Sequence, residues 1–154
     1  MSVLAIFTWL EKSALGQGIQ SSLYYFPIIE CFHLLGLAVL GGAVLLIDVR
    51  LLGWGLTHQS AAKLQQDIRP FMLGSIALMI LTGFLLFVSE ATKCYYHPAF
   101  WFKMSSLALA LIFTFTWQNK VLQSSSGINQ KLTAIISMIL WSGVGIGGRW
   151  IGFE

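Results

Sequence analysis

Four long apolar runs, 27–47, 71–89, 99–117 and 132–151, alternate with short polar connectors. Each approaches the roughly 20 residues that a helix needs to cross the hydrocarbon core of a bilayer. The pattern predicts an all-α integral membrane four-helix bundle, a single domain over residues 1–154. The segment before the first run is too short to span and lacks the basic start of a signal peptide. With Trp9, Glu11 and Lys12 it predicts a short N-terminal helix lying in the interface. Gly16-Gln17-Gly18 and Ser21-Ser22 then turn the chain into the first span. There Tyr24, Tyr25 and Phe26 form an aromatic belt, and Pro27 suits a first helical turn.

The connectors are equally legible. Residues 60–69 predict a short amphipathic helix stopped by Pro70. The connector 91–98 makes the second and third spans antiparallel neighbours, and Pro98 opens the third. That span leaves the membrane at Trp117-Gln118-Asn119, an exposed turn follows over 124–127, and His58 reads as a solvated loop residue. The glycine-rich stretch from Ser142 to Trp150 predicts tight packing or a locally opened helix.

Composition narrows the function classes. The chain is 56% hydrophobic and 10% charged, against about 25% charged in a soluble domain. Its net charge of +3 is scattered over connectors, with no basic stripe interleaved with aromatics, which argues against nucleic acid as a partner. The lipid bilayer is the expected partner, and a homo-oligomer is compatible with so apolar a surface. Arg50, Lys63, Arg69, Lys120 and Lys131 flank one side, against Lys12 and Lys93 on the other. The positive-inside rule then places both termini outside a bacterial inner membrane. Cys31 and Cys94 form no CxxC or zinc spacing and read as a buried thiol and a loop thiol.

The candidate chemistry sits in the first span. Glu30 and His33 lie one helical turn apart inside it, where an ionisable side chain costs roughly 2.5–3.5 kcal/mol. The topology brings Lys103, Arg149, Glu90 and His97 to the same outer layer. An imidazole within a span, small residues beside it (Gly36, Ala38, Gly41, Gly42, Ala43) and cations at the rim match the needs of a b-type haem. On that reading His33 is an axial ligand and His97 a candidate second one, with Met104 another. Lys103 and Arg149 hold the propionates, and Glu30 orients the imidazole. Electron transfer with a quinone or a periplasmic redox protein would follow. The alternative is copper handling through His33, Glu30 and His97, with Met72, Met79, Met104 or Met138 as soft ligands. A third reading is a non-catalytic subunit whose polar cluster only joins helices. Asp48 and Arg50 are expected to anchor the inner end of the first span at the interface.

Several motifs carry a resemblance over nearly the whole chain. Pro27-x-x-Glu30-x-x-His33-Leu34-Leu35-Gly36, Asp48-x-Arg50-Leu51-Leu52-Gly53, His97-Pro98-x-Phe100-x-x-Lys103 and the closing Gly148-Arg149 resemble a bacterial four-span family of unknown function. More distantly, the layout is similar to copper-resistance D-type membrane proteins, where a helix histidine and a lysine opening a later span recur. His33, Arg50-Leu51 and Lys103 also match the layout of HemJ-type membrane haem proteins. That type carries further histidines near the ends of its first and third spans, where this third span ends in Gln118-Asn119. The HemJ-type resemblance implies haem, and the copper-resistance D-type resemblance implies copper.

Overall fold

A computed structural model describes residues 2–124 and 127–151, and these are helical nearly throughout. Two short helices, α1 (Val3–Glu11) and α2 (Ala14–Ser21), precede α3 (Tyr25–Leu52) and α4 (Ala61–Ser89). A short α5 (Ala91–Tyr96) leads to α6 (Pro98–Phe113), which passes through a π-helical turn, Thr114–Gln118, into α7 (Asn119–Ser124). The last helix is α8 (Ile128–Ile151). Four helices are long and apolar enough to cross a membrane: Tyr25–Leu52, Ala61–Ser89, Pro98–Gln123 and Ile128–Ile151. The chain is therefore an all-α, multi-pass membrane protein. The turn expected over 124–127 falls largely on residues outside the described ones.

Three expectations change. The N-terminal segment forms two helices rather than one, each started by a serine: Ser2 accepts from Ala5 N and Ser13 from Gly16 N. Residues 60–69 are not a separate helix, because α4 runs without a break through Pro70. Proline removes one hydrogen bond and crowds the preceding turn. Here the long apolar continuation outweighs that local penalty. The third span also extends beyond 117, and Gln118 is buried at its π-turn instead of marking an exit.

The four spans pack α4 on α3, α3 on α8 and α8 on α6. The far end of the third span, α7, closes the bundle against α4, where Gln65 Nε2 donates to Asn119 Oδ1. The α4 and α6 backbones make no direct contact. Small residues set the close crossings. A Cβ on Gly36 of α3 would meet Met79 Cγ of α4 at 3.2 Å. One on Gly147 of α8 would meet Lys103 Cβ of α6 at 3.1 Å. Gly143, Gly147 and Gly148 thus resolve the alternatives for the glycine-rich stretch: α8 stays helical to Ile151, and these glycines admit α6. Gly41 and Gly42, by contrast, face open space.

The two ends of the bundle differ. Ile47, Leu51, Ala61, Leu122 and Ala134 form an apolar core at the end farther from the termini, and Leu40, Ala43, Val44 and Met72 continue it. At the terminal end, aromatic rings bridge the gap between α4 and α6. Phe87 stacks on Phe100 with centroids 5.5 Å apart, and Phe7 of α1 packs edge-on against Phe87 and Tyr95. The short helices are tied down by polar contacts as well. Gln20 Nε2 donates to Ser89 O, and Thr92 N donates to Glu11 Oε2 at 2.6 Å. Thr92 holds the Glu11 carboxyl below its ordinary range, against a smaller opposing effect of burial.

Candidate functional site

Where α4 and α6 stay apart, a cavity of about 530 Å³ remains at the terminal end of the bundle. That lies within the roughly 300–1,000 Å³ usual for small-molecule and cofactor sites. Five of the six polar residues that the sequence places in this layer line it: Glu30 and His33 from α3, Glu90 from the α4–α5 junction, Lys103 from α6 and Arg149 from α8. Cys94 also lines it, and Leu34, Leu37, Leu86, Phe87 and Phe100 supply apolar wall.

His33 is held with unusual definition for a histidine inside a span. Its Nδ1 lies 2.8 Å from Thr82 Oγ1. The same Thr82 hydroxyl donates its single proton to Leu78 O, one turn back in α4, at 2.7 Å. A hydroxyl has one proton to give and lone pairs to accept with. Thr82 Oγ1 therefore accepts from His33 Nδ1–H, and in the neutral imidazole that tautomer carries the lone pair on Nε2. Among the described residues Nε2 has no hydrogen-bond partner, and it is not sealed from the cavity that His33 lines. Gly83 makes room for the ring: a Cβ there would lie 3.1 Å from His33 Cε1.

Thr82 was not legible as a site residue. It lies 49 positions from His33, and threonines bonded to the carbonyl four residues back are common in apolar helices. It takes the place expected for Glu30, whose side chain lies exposed on the cavity wall.

His97 is placed differently from the reading that made it a second ligand. It is buried outside the cavity lining, and its Nδ1 accepts from Ala99 N at 3.2 Å, capping α6. The physical reason is local: Pro98 begins the helix, and the first-turn N–H groups need an acceptor.

The soft donors do not converge either. Met72 lies in the apolar core, Met104 is exposed, and Met79 alone of the named methionines lines the cavity. Among the described residues, no three His, Cys, Asp or Glu side chains approach closely enough to hold a metal ion. The two cysteines are free, and their burial is the reverse of that expected. Cys31 is exposed within α3, whereas Cys94, in the connecting helix α5, is buried. Burial, with Glu90 nearby, pushes the Cys94 thiol up to about 11.

Lys103 reaches the cavity along the floor that the α8 glycines leave open. A Cβ on Gly148 would stand 3.5 Å from Lys103 Nζ. The site thus combines a directed imidazole lone pair, two cationic side chains and an apolar wall. No curated protein and no solved structure matches the chain. Residues 6–154, spanning all four membrane helices, match the family of unknown function DUF6644, and the chain belongs to that family.

Proposed function

We propose that the cavity holds a b-type haem with His33 as its axial ligand, and that the protein carries electrons at the outer side of a bacterial inner membrane. The observation that supports this reading is the His33–Thr82 pair. A ligating histidine needs its second nitrogen engaged so that the first presents its lone pair in one direction. Thr82 does this, leaving His33 Nε2 toward an apolar cavity. The haem would supply one-electron redox chemistry. The protein's part is to bind, orient and shield it. Lys103 and Arg149 would hold the two propionates through charge-assisted hydrogen bonds, and Glu30, on the same wall, would offset part of their charge.

The distant resemblance of His33, Arg50-Leu51 and Lys103 to the HemJ-type layout points the same way, although the family shown for the chain is one of unknown function. With His97 engaged in capping α6, the proposal uses His33 as the sole protein ligand from the named histidines. A quinone or a periplasmic redox protein is the proposed partner.

The test is the visible spectrum of the purified protein. A Soret band with reducible α and β bands, lost in His33→Ala, is the expected result. A colourless protein that binds copper with His33-dependent stoichiometry would replace haem by copper. A colourless protein that binds neither would leave the cluster as a join between helices.

A further inference from the structure

The end of the bundle farther from the termini holds a polar group that the proposed function does not use. Asp48 of α3 and Ser137 of α8 are 0% exposed, and Gln118 of the π-turn is 1% exposed. Asp48 Oδ1 accepts from Gln118 Nε2 at 3.1 Å. Ser137 also interacts with this carboxyl. Yet neither Asp48 Oδ2 nor Ser137 Oγ has a hydrogen-bond partner at normal distance among the described residues. Neighbouring hydroxyls are satisfied: Thr114 Oγ1 accepts from Trp141 Nε1, and Thr133 Oγ1 donates to Asn129 O.

The charged side chains of the surrounding elements are directed elsewhere or lie at the surface. Arg50 Nε donates to Gln59 O, and Lys63 pairs with Asp67 at 2.9 Å. Arg69, Lys120 and Lys131 are exposed. Among the described residues, the groups that interact with the Asp48 carboxyl are Gln118 and Ser137, both neutral. An ionised carboxylate so enclosed would be strongly disfavoured, because neutral donors cannot replace the water it loses. One proton on Oδ2 removes the charge and also supplies the donor that Ser137 Oγ lacks.

We infer that Asp48 is a proton-binding site within the membrane span, a carboxylic acid whose Oδ2–H donates to Ser137 Oγ while Oδ1 accepts from Gln118. The π-turn belongs to this site. A π-helical insertion shifts the register of the residues that follow it, and Thr114 and Gln118 both face inward at its two ends. Such turns recur at functional sites, and carboxyls buried in membrane spans commonly mark proton sites. The inference is independent of any cofactor in the cavity.

The chain makes the experiment clean, since Asp48 and Asp67 are its two aspartates. Full-length protein carrying carboxyl-13C aspartate is examined by infrared spectroscopy at neutral pH. The expected result is one isotope-shifted carboxylic acid band alongside one carboxylate signal from the ion-paired Asp67. The acid band disappears in Asp48→Asn and moves to higher frequency in Ser137→Ala, where its hydrogen bond is lost. Carboxylate signals from both aspartates of the wild-type protein would overturn the proposal, and this reading does not depend on any variant folding. An acid band unmoved in a folded Ser137→Ala protein would overturn the assigned hydrogen bond.

Discussion

The Thr82 hydroxyl gives its proton to Leu78 O at 2.7 Å and takes one from His33 Nδ1 at 2.8 Å. A backbone carbonyl of α4 therefore sets which nitrogen of a histidine on α3 carries its lone pair. Replacing Thr82 by valine keeps the shape and removes this relay. On the proposal that the cavity takes haem through His33, haem affinity should fall by roughly 10–100-fold, as for residues that orient a ligating histidine. The Thr82→Ser variant should retain most of it. Titration of the purified apoprotein with haem measures both.

Gly83→Ala tests the same ring sterically. The added methyl would meet His33 Cε1 at 3.1 Å, and beyond its own stretch of α4 the other atom within 4 Å is His33 Nδ1. The ring must turn, so ligand binding should be weakened more than thermal stability. Spectral titration and a melting curve on one preparation separate the two effects.

Two glycine substitutions should have opposite signs. At Gly147, a Cβ would stand 3.1 Å from Lys103 Cβ and 3.2 Å from Lys103 Cα, so the α6 backbone itself would have to move. Gly147→Ala should destabilise the protein by about 1–3 kcal/mol, the usual range for overpacking. At Gly74 nothing lies within 4 Å, and the position is inside α4. Gly74→Ala should stabilise by about 0.5–1 kcal/mol through helix propensity. Unfolding in detergent reads both.

The docking of α1 on α5 should weaken in acid. Thr92 holds the Glu11 carboxyl below its ordinary value of 4.5. A depressed carboxylate stabilises the folded form fully above that ordinary value and loses its contribution as pH falls through the folded one. Amide-exchange protection of α1, taken relative to the intrinsic rate at each pH, should therefore fall on acidification through that window. In Glu11→Gln protection should already be reduced at neutral pH and show little of this dependence.

The Cys94 thiol should alkylate slowly. Raised from 9.0 to about 11, it carries about 100-fold less thiolate at a given pH below both values, and the thiolate is the reactive form. Mass spectrometry after iodoacetamide treatment at mildly alkaline pH should find Cys94 mostly unmodified, with reaction increasing as the pH approaches 11.

The parts of this structure readable from the chain are those that depend on runs of residues. The spans follow from hydropathy over lengths set by the bilayer. The gathering of Glu30, His33, Lys103 and Arg149 follows from four spans connected by short turns. What sequence reasoning missed depends on single contacts between distant residues or on small changes in helical register. Thr92 meets Glu11 across 81 positions. Gln118 looked like the polar exit of a span, but a π-turn directs it to Asp48, 70 positions away. Asp48, beside Arg50 at the inner end of the first span, has the sequence setting of an interfacial anchor, yet it has no exposed surface. Pro70 read as a helix stop, and no local pattern distinguishes the α4 setting that accommodates it.

The missing contact between α4 and α6 has a mechanical consequence. The tight seams are α4–α3, α3–α8 and α8–α6, so α3 and α8 act as a spine with one cover on each side, and α7 ties the two covers together at the far end. Swinging the covers apart at the terminal end separates no close-packed pair of spans. It has to break the Phe87–Phe100 stack and displace α5 with the α1 ring that clasps it. The cavity can therefore widen sideways between α4 and α6 while the glycine-lined seam beneath Lys103 stays shut.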